Sequence, residues 1–308
     1  MSSSGMSILR VTFLGTSAAA PTLHRNVTGI AMKADRDLLL FDCGEGSQRQ
    51  MIRHGTGFAV DAVFFTHFHA DHYLGIIGFL RTLGMGGRQE PLTLYGPLSA
   101  KKVLDAAIHL GVERLHFPVE IVELRGGELL DRGTYCVKPV RVDHRVNTVG
   151  YVIEEHERHG RFDQSAALAL GVKPGPDFGK LQRGQSVEGT GGRMVQPNEV
   201  LGATRAGRKV AISGDTRPCT ALSDAARDVD VLIHEATFSD DEGERAIETK
   251  HSTAREAGRV AQAAQARKLI LTHFSSRHDA DPRPLVEQAR AEFGGPIDAA
   301  YDGYWFEV

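Results

Sequence analysis

The segment Thr66-His67-Phe68-His69-Ala70-Asp71-His72 puts four metal-ligand side chains into six consecutive positions. In an extended chain side chains alternate with period two, so His67 and His69 point the same way and can reach one ion. Asp71 and His72 fall where a helical pattern begins and project beside the first pair, which offers a second ion position. Three imidazoles and a carboxylate buried together need a cation to neutralise and orient them. Two ions need more ligands, and three stand at the ends of expected strands: His144 after Val137–Val142, Asp215 after Lys209–Ile212, and His273 after Lys268–Leu271. The carboxyl edge of an α/β sheet gathers side chains from distant segments in this way. Paired ions lower the pKa of a shared water and stabilise charge on an attacked phosphate, so the chemistry on offer is hydrolysis.

The elements that must position these residues are legible as short apolar runs. Strands are expected at Ile8–Leu14, Gly29–Lys33, Leu38–Phe41, Ala62–Phe65, Leu92–Tyr95, Val137–Val142, Val149–Ile153, Lys209–Ile212, Val229–Ile233 and Lys268–Leu271. Helical spacing or strong helix formers mark Glu45–His54, Asp71–Leu83, Ser99–Leu110 and Ser252–Ala266, the last with Ser252 as N-cap and Glu256 in its first turn. Alternating strands and helices predict an α/β fold in which two sheets pack together with helices outside. From Glu154 to Arg208 the rhythm breaks into GVKPGPDFGKL and EGTGG, with only Asp163–Leu170 helical in pattern. Such a stretch is expected to be an inserted arm, functional or mobile. Within Gly171–Arg193, Lys173, Lys180, Arg183 and Arg193 outnumber Asp177 and Glu188, which makes a local site for phosphate contacts.

Composition bounds the rest. The 308 residues suit one large domain or two small ones, and no stretch approaches the roughly 20 apolar residues of a membrane span. Met1–Arg10 lacks the apolar core of a signal peptide, so a cytoplasmic location without a membrane is expected. Cys43, Cys136 and Cys219 are too widely spaced for a zinc knuckle and are expected as buried small hydrophobes. The formal net charge of -3 argues against a general nucleic-acid binder, so any RNA contact must be local. His54, His109, His116, His156, His159 and His278 lack ligand spacing, and His234 reads as a structural strand residue.

His67, His69, Asp71 and His72 match the HxHxDH signature of the metallo-β-lactamase superfamily. Read end to end, FLGTSAAAP, FDCGEGSQRQ, FFTHFHADHYLGIIGFL, LYGP, DHRVNTVGYVIEE, GPDFGKL, SGDTRP, HEATF, HSTA and LTHFSSR resemble the bacterial ribonuclease Z family, endonucleases that trim the 3′ end of precursor tRNA. The resemblance spans nearly the whole chain. It implies one αββα sandwich domain over residues 1–308, two mixed sheets with helices outside, carrying a protruding flexible arm at 154–208.

It further implies that His67, His69 and His144 hold one zinc, that Asp71, His72 and His273 hold the other, and that Asp215 bridges them. Donors without thiolate also suit manganese or iron. Asp71 is similar to the family's proton acceptor, and His251 with Glu235 matches the pair that protonates the leaving 3′ oxygen, a step that needs an acid. The arm, through Lys173, Lys180 and Arg183, would grip precursor tRNA, in a homodimer whose arm serves the partner's site, with no further protein partner evident. The family's PxKxRN loop appears as Pro21-Thr22-Leu23-His24-Arg25-Asn26, with leucine in place of lysine. Arg25 and Asn26 are expected to contact phosphate or base, with a turn-forming role for Asn26 equally open. The rival readings are a small-molecule phosphodiesterase or arylsulfatase-like hydrolase of the same fold, and a non-catalytic RNA-binding scaffold.

Overall fold

The computed structural model describes residues 8–112, 114–157 and 160–308. The chain divides into two compact units, Met1–Glu154 with Arg208–Val308, and Glu155–Gly207. The larger unit holds two seven-stranded sheets. In the first, the strands run in the order Trp305–Glu307, Leu9–Gly15, Gly29–Ala34, Asp37–Cys43, Ala62–Phe64, Leu92–Pro97 and Val119–Leu124. In the second, the order is Ile297–Ala299, Leu269–Thr272, Val231–Glu235, Lys209–Ile212, Val149–Glu155, Tyr135–Arg141 and Leu130–Asp131. Each sheet mixes antiparallel and parallel pairs.

Alternation of side chains builds the layers. Phe13, Phe41 and Phe64 from the first sheet meet Tyr151, Ile212 and Ile233 from the second in one buried cluster. Their neighbours Leu40, Val63 and Phe65 turn the other way onto Met51, Phe79 and Leu104 of the flanking helices. Val152, Leu232 and Leu271 do the same toward Leu222, Ala257 and Leu285. Each fully buried side chain of this size contributes about 1.5–3 kcal/mol, so both faces of both sheets are covered and the result is the expected αββα sandwich.

Several boundaries differ from expectation. The helix expected over Asp71–Leu83 is two helices, Ala70–Tyr73 and Gly75–Met85, parted at Leu74. Gly75 packs so closely on the backbone that a Cβ there would lie 2.0 Å from the Gly44 carbonyl oxygen, a contact a continuous side-chain-bearing turn could not make. The helix expected from Ser252 begins at Ala254, and Thr253 is its N-cap, completing a capping box with Glu256. Ser252 instead donates its hydroxyl to the Thr216 carbonyl at 2.6 Å. The edge strands Val119–Leu124, Leu130–Asp131, Ile297–Ala299 and Trp305–Glu307 are short or part-exposed and carry weak apolar signals.

Glu155–Gly207 is more ordered than an irregular arm. Asp163 caps the expected helix Gln164–Ala169, and a second helix, Pro176–Gln182, follows Gly175 with proline in its first turn. A hairpin of Val187–Glu188 and Met194–Val195 completes it. Ala167, Val172, Leu181, Val187, Val195 and Val200 form a small core of its own. No helix of the described residues is long and apolar enough to cross a membrane.

Candidate metal centre

Strand ends deliver the candidate ligands. Thr66–His72 follows Ala62–Phe64, Asp215 follows Lys209–Ile212, His273 follows Leu269–Thr272 and His144 follows Tyr135–Arg141. His67 Nε2 and His69 Nδ1 lie 3.0 Å apart, and His144 Nε2 lies 3.3 Å from the same His69 nitrogen. His72 Nε2 is 3.3 Å from His273 Nε2, and Asp71 Oδ2 is 3.5 and 3.4 Å from these two atoms. Asp215 stands between the groups, with Oδ2 at 3.5 Å from His67 and 3.4 Å from His72, and Oδ1 at 3.4 Å from His273.

These spacings suit a cation. An ion with tetrahedral bonds of about 2.0–2.1 Å sets its ligand atoms about 3.3–3.4 Å apart. A charge-assisted hydrogen bond would close to about 2.7–2.9 Å. The second ring nitrogens point the same way. His72 Nδ1 donates to Asp42 Oδ2 at 2.8 Å, and His144 Nδ1 donates to the Lys250 carbonyl at 2.8 Å. The Thr237 hydroxyl donates to Glu235 Oε2 at 2.6 Å, so it accepts from His273 Nδ1 at 2.8 Å. With Nδ1 so engaged, each of these rings turns its Nε2 inward, the atom by which it would bind a metal. Ring nitrogens and carboxylate oxygens gathered this closely suit a divalent metal.

Electrostatics agrees. Burial, joined by the neighbouring His72, pushes His67 well below the ordinary imidazole value, so it stays a neutral ligand. Burial pushes His72 down too, but the charges of Asp215, Asp42 and Asp71 outweigh it and hold it well above that value. Burial raises Asp71 and Asp215, and the surrounding histidines overcome it, so both carboxyls lie below their ordinary range. The ligand groups thus gather more negative charge than the proton favoured on His72 balances. Among eight described non-glycine residues with positive φ, four hold this centre: Ala19, Asp42, Lys250 and His273. Strain of this kind persists where packing over-determines it and clusters at functional sites.

His251 lies beside the ligands, its Nδ1 2.9 Å from Glu235 Oε1 and 3.9 Å from Asp215 Oδ2. Burial lowers its pKa, but Glu235 and Asp215 outweigh that and raise it to about 9. Glu235 is buried and also accepts the Thr216 amide at 2.8 Å. A cavity of about 500 Å³ opens onto His69, Asp71, Asp215, His251 and His273, with Phe238, Arg245 and Arg277 on its wall. His54, His109, His116, His156, His234 and His278 stay out of the ligand groups, and His159 lies outside the described residues.

The residues expected to touch RNA divide. Lys173 and Arg183 are exposed and have no ion-pair partner among the described residues, whereas Lys180 pairs with Asp177 at 2.8 Å. Arg25 and Asn26 are both buried. Arg25 Nη1 donates to the Thr16 hydroxyl and the Ala300 carbonyl at 2.7 Å each, and its guanidinium lies 4.8 Å over the Phe274 ring. Asn26 donates its side-chain amide to the Glu45 carbonyl at 2.8 Å. Leu23, by contrast, is 97% exposed at the loop's tip. Sequence reasoning missed Asp42, Thr237 and Lys250, which orient ligand imidazoles from segments far apart in the chain.

The beta-lactamase superfamily domain model matches residues 38–162 and 183–274. The chain is 65% identical over 303 residues to ribonuclease Z of Myxococcus xanthus, covering 98% of this chain and 99% of that one. It is 48% identical to ribonuclease Z of Gemmatimonas aurantiaca, covering 97% of this chain and 96% of that one. Among solved structures, the short form of human tRNase Z superposes with a TM-score of 0.68 at 24% identity, covering 96% of this chain and 98% of the other, which speaks to the fold alone. The chain belongs to the ribonuclease Z family of the beta-lactamase superfamily.

Proposed function

We infer that the chain is a metal-dependent endoribonuclease that removes the 3′ trailer from precursor tRNA, hydrolysing the phosphodiester after the discriminator and leaving a tRNA 3′-hydroxyl. The observation that carries this is 65% identity to a ribonuclease Z along nearly the full chain, in a molecule that keeps a complete ligand set at ion spacing. That complete set opposes a non-catalytic scaffold. We assign two zinc ions, one to His67, His69 and His144, the other to Asp71, His72 and His273, with Asp215 shared between them.

When bound, the metals supply Lewis-acid activation of the attacking water and offset the charge of the phosphate. Asp71, which its histidine neighbours keep ionised, is the carboxylate we assign to accept a proton from the attacking water. The Glu235 carboxylate fixes His251 through Nδ1, which leaves Nε2 to donate to the departing 3′ oxygen. A pKa raised to about 9 keeps that imidazole protonated at neutral pH. We assign the grip on tRNA to the arm at 154–208 through Lys173, Lys180 and Arg183, in a cytoplasmic homodimer whose arms reach across to the partner's site. The family resemblance supports these assignments, and sedimentation at working concentration tests the dimer.

The direct test incubates the metal-loaded protein with end-labelled precursor tRNA beside a small chromogenic phosphodiester and maps the RNA ends. Cleavage just after the discriminator is expected. Intact RNA with turnover of the small ester would move the substrate elsewhere and favour the small-molecule hydrolase.

A further inference from the structure

We propose that Asp302 is a positioning residue for the metal centre: with Arg25 it clamps the loop Thr16–Asn26, and that loop aims Asp71 through the amide of Ala19. This rests on the reading of Asp71 as a metal ligand.

The clamp is a connected set of short hydrogen bonds. Asp302 Oδ1 accepts the Thr16 hydroxyl at 3.0 Å, and Oδ2 accepts the Asn26 amide and Gln50 Nε2 at 2.6 Å each. Thr16, Asn26 and Gln50 are all buried, so the carboxylate is their main-chain and side-chain terminus inside the fold. The Thr16 oxygen in turn accepts Arg25 Nη1 at 2.7 Å, which makes a relay from guanidinium through hydroxyl to carboxylate. On its other edge Arg25 Nε donates to the Asp279 carbonyl at 3.2 Å, and Thr22 donates to Asp279 Oδ1 at 2.7 Å. Both ends of the loop, Thr16 and Asn26, are therefore pinned to Asp302, and Thr22 and Arg25 tie its return limb to the segment that follows His273.

Between those pins the loop touches the metal centre twice. The Ala19 amide donates to Asp71 Oδ2 at 2.7 Å, and this is the oxygen that faces His72 and His273. Ala19 does so at φ 63, a conformation that alanine holds only where its surroundings impose it. Ala18 and Thr16 also exchange backbone hydrogen bonds with Phe274 at 2.9 Å each, and Phe274 is the neighbour of the ligand His273. A loop free to relax would move the Ala19 amide and let Asp71 rotate, because no other described group donates a backbone N–H to that oxygen. Groups that orient a ligand carboxylate typically change metal affinity by about 10–100-fold when removed.

The placement separates two roles for Arg25. As a strut it must stay inside, with three acceptors and an aromatic face engaged. As a phosphate ligand through Nε or Nη1 it would have to give up these bonds.

The test uses the full-length metal-loaded protein and the variants Asp302→Asn, Thr16→Val, Arg25→Met and Asp71→Ala. Metal retained per chain after dialysis against a chelator is the main readout. Precursor tRNA affinity across a salt series is the second, and kcat and KM on a small phosphodiester the third. The clamp predicts that Asp302→Asn and Thr16→Val lose metal at least about tenfold more readily, with kcat falling and KM, tRNA affinity and salt slope unchanged. Thr16→Val keeps the side-chain shape and stands in if Asp302→Asn fails to fold. Full metal retention in both variants beside loss in Asp71→Ala overturns the clamp and leaves the ligand assignment standing. Retention in Asp71→Ala as well overturns the ligand assignment and the clamp with it. A salt slope reduced by about one in Arg25→Met, with metal retained, makes Arg25 a phosphate contact and also overturns the clamp.

Discussion

The metal centre and the unit Glu155–Gly207 are built on opposite plans. The centre draws His67 and Asp71, His144, Asp215 and His273 from four strand ends into a buried site where each group depends on the others' charge. The smaller unit is sequence-local, with six buried apolar residues and its cations at the surface. Chemistry needs desolvated, oriented groups, and only a large sandwich can hold them. Backbone-phosphate contact needs exposed charge on a scaffold that can be small. Changes in the first region should therefore alter turnover of every substrate, and changes in the second should alter RNA binding alone.

The largest effect is expected at Asp215, which we assign to both ions. Asp215→Ala should lower turnover of both precursor tRNA and a small phosphodiester by about 10⁴-fold or more, because nucleophile activation and charge stabilisation fail together. Undiminished turnover of either substrate breaks the two-ion reading. Next, His251→Ala should cost at least about 10²-fold in kcat while metal content, measured by elemental analysis, stays that of the unaltered protein. Joint loss of metal would recast His251 as a ligand. Asp42→Asn should weaken metal affinity by about 10–100-fold, since Asp42 fixes the His72 ring at 2.8 Å, and precursor binding should not follow.

Metal affinity should also respond to pH in a definite direction. His72 in the metal-free chain is held well above the ordinary imidazole value, so at pH 7 it carries a proton that the metal must displace. Affinity should rise about tenfold per pH unit until the pH passes that raised value, and level off above it. Calorimetry in buffers of different ionisation enthalpy reads the proton released, and no release would contradict the charge balance drawn for the centre. The smallest effect belongs to the other region. Replacing Lys173 and Arg183 by alanine should reduce the salt slope of precursor tRNA binding by up to about two, with small-ester kinetics unchanged.

Sequence showed the centre well and its supports poorly. His67, His69, Asp71 and His72 are adjacent in the chain, and Asp215 and His273 sit at the ends of apolar runs, so type and spacing carry the signal. Asp42 and Thr237 carry none, because an aspartate or threonine at a strand end is common and only the tertiary fold aims it at a histidine. Arg25 shows the converse: a basic residue in a loop reads as a phosphate contact until the fold buries it against Phe274 and Thr16. The helix Pro176–Gln182 is hidden by Gly175 before it and by its own Pro176 and Gly179, although proline in a first turn is compatible with a helix start.

The division of labour is tested most directly by excising the smaller unit. Gly160 Cα lies 3.9 Å from the position a Cβ on Gly202 would take, so joining these two residues removes 161–201 without stretching the chain. The excised and full-length proteins, both metal-loaded, are then compared for kcat/KM on precursor tRNA and on a small chromogenic phosphodiester. The account predicts a large fall on the RNA, at least about tenfold, with small-ester turnover and metal content unchanged. Equal RNA turnover with and without the unit, or a parallel fall on both substrates, would contradict it.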